Sequence, residues 1–183
     1  MQQDGRELIL HWLRDAHAME NQSVQMLENQ LPSLAGFPEF HASVERHAVL
    51  SREQRTRLAA RITELGQAPS AMRDSLASMM GFAAPMMIGV LPDNAARSAV
   101  ANYAFEHLEI GTYRALIGLA ERAGDRATRT LAESILAQEL EMAAWLEANL
   151  PRIAAENLPS AEAALNNTFR LPFPGGRSLV TAL

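Results

Sequence analysis

Four stretches of this chain space their apolar residues by threes, fours and sums of these, which gathers those side chains on one face of an α-helix. Ile9, Leu13, Ala16, Leu27 and Leu31 form the first stripe, and Phe40, Val44, Leu58, Ile62 and Leu65 the second. The third runs through Tyr103, Ile110, Tyr113 and Ile117, the fourth through Ile135, Met142 and Leu146. Four amphipathic helices hide such stripes by packing around one another, so the expected fold class is all-α, a four-helix bundle. Ala, Leu, Glu, Arg and Met dominate while aromatics are 5%, which suits helices, and a 48% hydrophobic content over 183 residues suffices for one core.

Punctuation residues set the expected boundaries. Asp4 with Glu7 reads as a capping box, and Pro32 with Gly36 ends the first segment. Phe37 and Pro38 open the second helix and Gly66 stops it. Asp93 is expected to cap the third helix, which runs to Gly124, and Asp125 the fourth, which is expected to end near Pro151. Residues 67–93 carry Pro69, Gly81, Pro85, Gly89 and Pro92 and read as a connection with a short helix near 70–80, long enough to run the length of a bundle. Residues 1–150 therefore form the expected bundle domain. Residues 151–183 form a short helix and an extended tail, expected to dock on the body or on a second subunit.

Carboxylates interrupt the stripes. Glu20 falls in register with Ile9, Leu13 and Ala16; Glu106 and Glu109 fall between Tyr103 and Tyr113; Glu139 falls between Ile135 and Met142. Four inward glutamates would repel one another and raise each other's pKa unless cations balance them, and two divalent ions would balance four carboxylates. Pairing with Arg46, Arg52 or Arg114, or a position at a wet bundle end, is the alternative. Tyr103 and Tyr113 stand one turn from the glutamates, where their hydroxyls could orient them, or where they simply pack in the core. With no cysteine, any metal has to be held by carboxylate, imidazole or softer neutral groups.

The run Phe105-Glu106-His107-Leu108-Glu109-Ile110 through Tyr113 to Gly124 resembles the third helix of the YciF/YciE-like proteins, a ferritin-like, stress-associated family distantly similar to rubrerythrins. The resemblance extends to Asp15, Glu20 and Gln22, to Phe40, His47, Gln54, Arg57, Leu58, Leu65 and Gly66, and to Gly124, Arg126, Leu131 and Glu139. It covers about residues 7–150. It implies a ferritin-like bundle with a long crossover between its second and third helices. Its centre would hold iron or manganese between Glu20, Glu106, Glu109 and Glu139, with His47 as a further ligand. The chain departs from the family at two places. Leu50 stands where the family carries a helix-2 glutamate, and Met142 stands where a ferritin-like Glu-x-x-His pair places histidine. Glu53 is no substitute, lying about 120° around the helix from His47. A thioether is a poor ligand for a hard ion, so the expected site is a partly degraded one in which the second ion position is weakened or lost. His107 is expected off the seam, about 100° from Glu106. His11, His17 and His41 carry no comparable argument.

Two functions follow as expectations: a metal-binding bundle, in the extreme an oxidase or a peroxide-consuming enzyme, or a non-catalytic dimeric module that has lost its metal. A net charge of −5 without a basic stripe argues against nucleic-acid binding. No Gly-rich phosphate loop or Gly-x-Ser-x-Gly elbow points to an organic cofactor or to serine hydrolysis. Leu76–Leu91 is uncharged, but its sixteen residues are short for a membrane span, which needs roughly 20. A buried crossover or subunit contact is the expectation, together with a homodimer, no membrane and a cytoplasmic location, since the N-terminal stretch mixes charges into its apolar residues.

Overall fold

A computed structural model of the chain describes residues 3–67 and 94–158. The expectations for the crossover, including Leu76–Leu91 and its methionines, and for the tail beyond 158 lie outside the described residues.

Four long helices make up the described chain: α1 (Gln3–Gln30), α2 (Pro38–Glu64), α3 (Ala95–Ala123) and α4 (Arg126–Glu156). A 3-10 turn, Leu31–Leu34, joins α1 to α2, so Leu31 belongs to that turn rather than to α1. Pro38 then starts α2, where a missing N–H costs nothing at a first helical position. Gly124 sits at φ 70°, a left-handed conformation that ends α3 without strain for glycine, and Asp125 caps α4 at once, its carboxylate accepting from the Thr128 N–H. Connections this short make α1–α2 and α3–α4 antiparallel hairpins. The hairpins pack with α1 against α3 and α2 against α4.

Three expected boundaries shift. Helix α1 already runs from Gln3, so Asp4 lies inside its first turn rather than ahead of it. The side chain that caps α3 is Asn94, accepting from the Arg97 N–H at 2.9 Å; Asp93 lies outside the described residues. Helix α4 does not end near Pro151 but passes through it to Glu156. The proline removes one backbone bond, yet Ile153 beyond it is 1% exposed in the core and Arg152 reaches across to Glu39. That tertiary anchoring holds the last turn in helical form.

Gln67 and Asn94 stand at opposite ends of the bundle. Arg6, near the start of α1, donates to the Leu65 carbonyl, whereas Gln30, at the end of α1, exchanges amide bonds with Asn102. That placement is what a long connection between α2 and α3 requires.

The apolar core is divided. One cluster gathers Ile9, Leu13, Met19, Leu58, Leu116 and Ile135, and a second gathers Leu27, Leu34, Phe40, Val44, Ala99 and Leu146. Between them, on all four helices, the stripe positions carry polar side chains: Glu20 and Ser23, His47 and Gln54, Glu106 and Glu109, and Glu139.

Candidate metal centre

Helical register delivers these polar groups to the axis. Glu20 follows Leu13 and Ala16 by two turns and one turn, and Glu139 lies four residues after Ile135; both are fully buried. Glu106 and Glu109, three apart on α3, face the same interior, and His47 enters from α2.

One ligand atom from each of His47, Glu106, Glu109 and Glu139 lies within 4.8 Å of the others. His47 Nε2 stands 3.2 Å from Glu106 Oε1 and 3.3 Å from Glu139 Oε2, close enough for attraction but not aligned as hydrogen bonds. Glu20 adjoins the group, and Tyr113 donates its hydroxyl proton to Glu20 Oε1. On the far side, Gln54 Nε2 donates to Glu139 Oε1 at 2.5 Å and to Gln138 Oε1 at 3.0 Å. The remaining oxygens are orphaned: Glu20 Oε2, Glu139 Oε2 and both oxygens of Glu106 and of Glu109 have no hydrogen-bond partner among the described residues.

The electrostatics follow from that geometry. Burial pushes Glu20 and Glu109 well above the usual carboxylate range, and neighbouring carboxylates add to it; Tyr113 opposes the shift at Glu20, and Ser23 opposes it at Glu109. Burial also raises Glu106, to about 7, against the pull of His47. Burial alone would depress His47, but Glu106 and Glu139 beside it win and raise its pKa to about 10. Burial, then the charge of Glu20, raises the Tyr113 phenol.

Arginine does not resolve the crowding. Arg52 pairs with Glu28 at the surface, Arg46 and Arg114 are exposed, and among the described residues no arginine forms an ion pair with the five site residues.

The remaining sequence candidates fall as follows. Tyr103 is half-buried and packs its ring edge on His107, 4.4 Å between centroids, and among the described residues its hydroxyl makes no hydrogen bond to Glu106 or Glu109. His107 is exposed, its Nδ1 turned to the Tyr103 carbonyl, off the seam as expected. Glu53 is exposed, as its angle from His47 requires. Leu50 lines a cavity between α2 and α4, and Met142 accepts a weak bond from the Ser43 hydroxyl at 3.6 Å. The role of Gln54 was not singled out by sequence. It stands seven residues from His47, two turns along the same face, and that spacing was the available signal.

Among the described residues no helix is long and apolar enough to cross a membrane. Comparison with solved structures returns ferritin-like bundles. A protein from Xanthomonas campestris pv. campestris is 28% identical, with a TM-score of 0.68 over 91% of this chain and 99% of that one. The Escherichia coli stress protein YciF superposes with a TM-score of 0.70 at 18% identity, over 84% of this chain and 99% of that one. The bacterioferritin of Desulfovibrio desulfuricans, a protein with a diiron site, superposes with a TM-score of 0.69 at 22% identity, over 88% of each chain. The last two likenesses carry the fold. The family described as a domain of unknown function, DUF892, matches residues 4–159, and the chain belongs to it as a YciF-like, ferritin-like helical bundle.

Proposed function

We propose that this protein binds a divalent metal ion, iron or manganese, between His47, Glu106, Glu109 and Glu139, with Glu20 on the edge of the set, in the stress-associated setting named for the E. coli protein of the same fold. The observation that carries the proposal is the group of orphaned carboxylate oxygens in a buried layer that no arginine enters. Oxygen-rich ligands with one imidazole suit a hard or borderline divalent ion. Leu50 and Met142 add no oxygen or imidazole, so the ligand set favours one ion over two.

Such an ion would supply Lewis acidity and, if iron or manganese, a redox couple. The chain's own part is positioning. Tyr113 holds Glu20, Gln54 holds Glu139, and the two apolar clusters above and below keep bulk water from the carboxylates. To become a ligand His47 has to release the proton its neighbours favour, so binding expels protons.

Anaerobic loading of chelator-treated protein with Fe(II) or Mn(II), then desalting and elemental analysis, is expected to leave about one ion per chain, with little retained by the double variant E106Q/E139Q. No retained metal, together with thermal unfolding indifferent to added Fe(II) and Mn(II), would remove the proposal. It would leave the second reading, a non-catalytic structural module in which the raised pKa values of Glu20, Glu106 and Glu109 limit the negative charge of the layer without metal.

A further inference from the structure

Between α2 and α4 a cavity of about 430 Å³ reaches from the surface to His47, which is thus shared by the cavity wall and the carboxylate cluster. Leu50, Met142 and Trp145 give it an apolar interior, and the exposed Val49 stands in its lining. The polar groups are few. Ser43 spends its hydroxyl proton on the Met142 sulfur, a weak acceptor that a ligand oxygen would outcompete. Gln138 spends its carbonyl on Gln54, which leaves its N–H groups without a partner among the described residues.

We propose that this cavity binds a small uncharged aromatic molecule carrying one oxygen, of the size of a substituted phenol, and presents it beside His47. A ring of that size fits against the Trp145 indole and the Met142 thioether, contacts that stacking and sulfur–aromatic attraction favour. Its oxygen meets Ser43 or Gln138. Charge selects against ions. Arg46 and Glu141, both exposed, line the cavity with opposite signs and no net preference, and an anionic carboxylate would leave water for the apolar surface of Leu50, Met142 and Trp145. A hydrated cation would shed water against Leu50, Met142 and Trp145 with nothing to replace it. Open to solvent on one side, a volume of this order is large enough to seat a single-ring organic molecule. The binding step needs no ion in the cluster, so it stands apart from the metal-binding reading.

The test is calorimetric titration of the full, chelator-treated chain at neutral pH with 4-methylphenol, and with 4-methylbenzoate as the anionic counterpart. The expected result is saturable binding of 4-methylphenol at about one per chain, with a Kd of about 1 mM or tighter, as molecules of this size reach, and at least about tenfold weaker binding of 4-methylbenzoate. Val49→Trp, a change at an exposed position, is expected to weaken 4-methylphenol at least about tenfold. It should leave thermal unfolding and the metal content after loading unchanged, and Leu50→Trp should close the cavity from deeper inside. Absence of saturable 4-methylphenol binding overturns the proposal. Equal binding by Val49→Trp, or benzoate binding as tightly as phenol, overturns it as well. Loss of metal retention with 4-methylphenol binding intact would count against the metal-binding reading alone.

Discussion

Glu109 shows how strongly a buried carboxylate depends on what faces it. It is fully enclosed, neither oxygen has a hydrogen-bond partner among the described residues, and burial reinforced by Glu20, Glu139 and Glu106 pushes its pKa well up. Glu109→Gln keeps the shape and removes the charge. In metal-free protein it is expected to raise stability at alkaline pH, because it removes the charge that burial and the neighbouring carboxylates oppose, while weakening Fe(II) or Mn(II) retention. Urea unfolding of both proteins with chelator present reads the first effect, and a destabilised variant would show that the Glu109 charge is stabilised by partners in the fold. The same residues set the pH profile. Glu106 titrates at about 7 in the folded chain against an ordinary 4.5, so across that window the unfolded chain gives up a proton that the native state still holds. Stability therefore falls as pH rises, and the raised Glu20 and Glu109 act in the same direction. His47, at about 10 against 6.5, adds stability that is present at low pH and lost as pH rises through its folded value. Metal-free protein is thus expected to lose urea resistance steadily from about pH 5 to about pH 9. A rising profile over that range would contradict the direction assigned to all four groups.

The α3–α4 junction compresses several devices into a few residues. Gly124 takes the left-handed turn, and Asp125 caps α4 through the Thr128 N–H and hydroxyl while receiving two bonds from Arg61 of α2 at 2.8 and 2.9 Å. Burial pushes the Asp125 carboxyl up, but Thr128 and Arg61 together hold it below its ordinary range. Asp125→Ala removes both the cap and the interhelix pair and is expected to cost about 2–3 kcal/mol; Asp125→Asn keeps the cap and is expected to lose about half of that. Thermal unfolding of the two variants separates the contributions, and equal losses would mean that the Arg61 pair carries nearly all of the stabilisation. This junction was legible in the sequence because Gly and Asp act through local backbone chemistry. Asn94 and Pro151 misled for the opposite reason. Asp93 and Asn94 are both competent caps, so composition could not choose between adjacent residues, and Pro151 reads as a stop until Ile153 is seen buried past it. The inward register of Glu20, Glu106, Glu109 and Glu139 followed from the same three-and-four spacing as the apolar stripes. Convergence of His47 with three of them, and the Gln54 contact, depended on how far each helix is shifted along its neighbours, which no single-helix pattern encodes.

A bundle with two apolar clusters and a carboxylate layer between them has its weakest section in the middle, because the layer brings four carboxylates from α1, α3 and α4 against one imidazole from α2. Metal-free, the layer is best satisfied when protonated, and it loses stability with rising pH as argued above. A bound ion inverts that dependence. It prefers ionised carboxylates and a neutral imidazole, so protons compete with it and its affinity rises with pH. Whatever binds the native state alone stabilises it by about 2.7 kcal/mol at a free concentration one hundred times its Kd, which for a chain of this length moves Tm by about 5–10 °C. The expected result is therefore a pair of diverging curves: Tm with chelator falling between about pH 6 and about pH 8, Tm with excess Mn(II) holding or rising, and the gap widening toward the alkaline end. Scanning calorimetry of the full chain under both conditions measures it. Parallel curves with a constant gap would mean that Mn(II) binds at a surface group whose protonation does not change over this range. Coincident curves would mean that the layer is maintained by its protons alone, with the four helices held together across it by the clusters on either side.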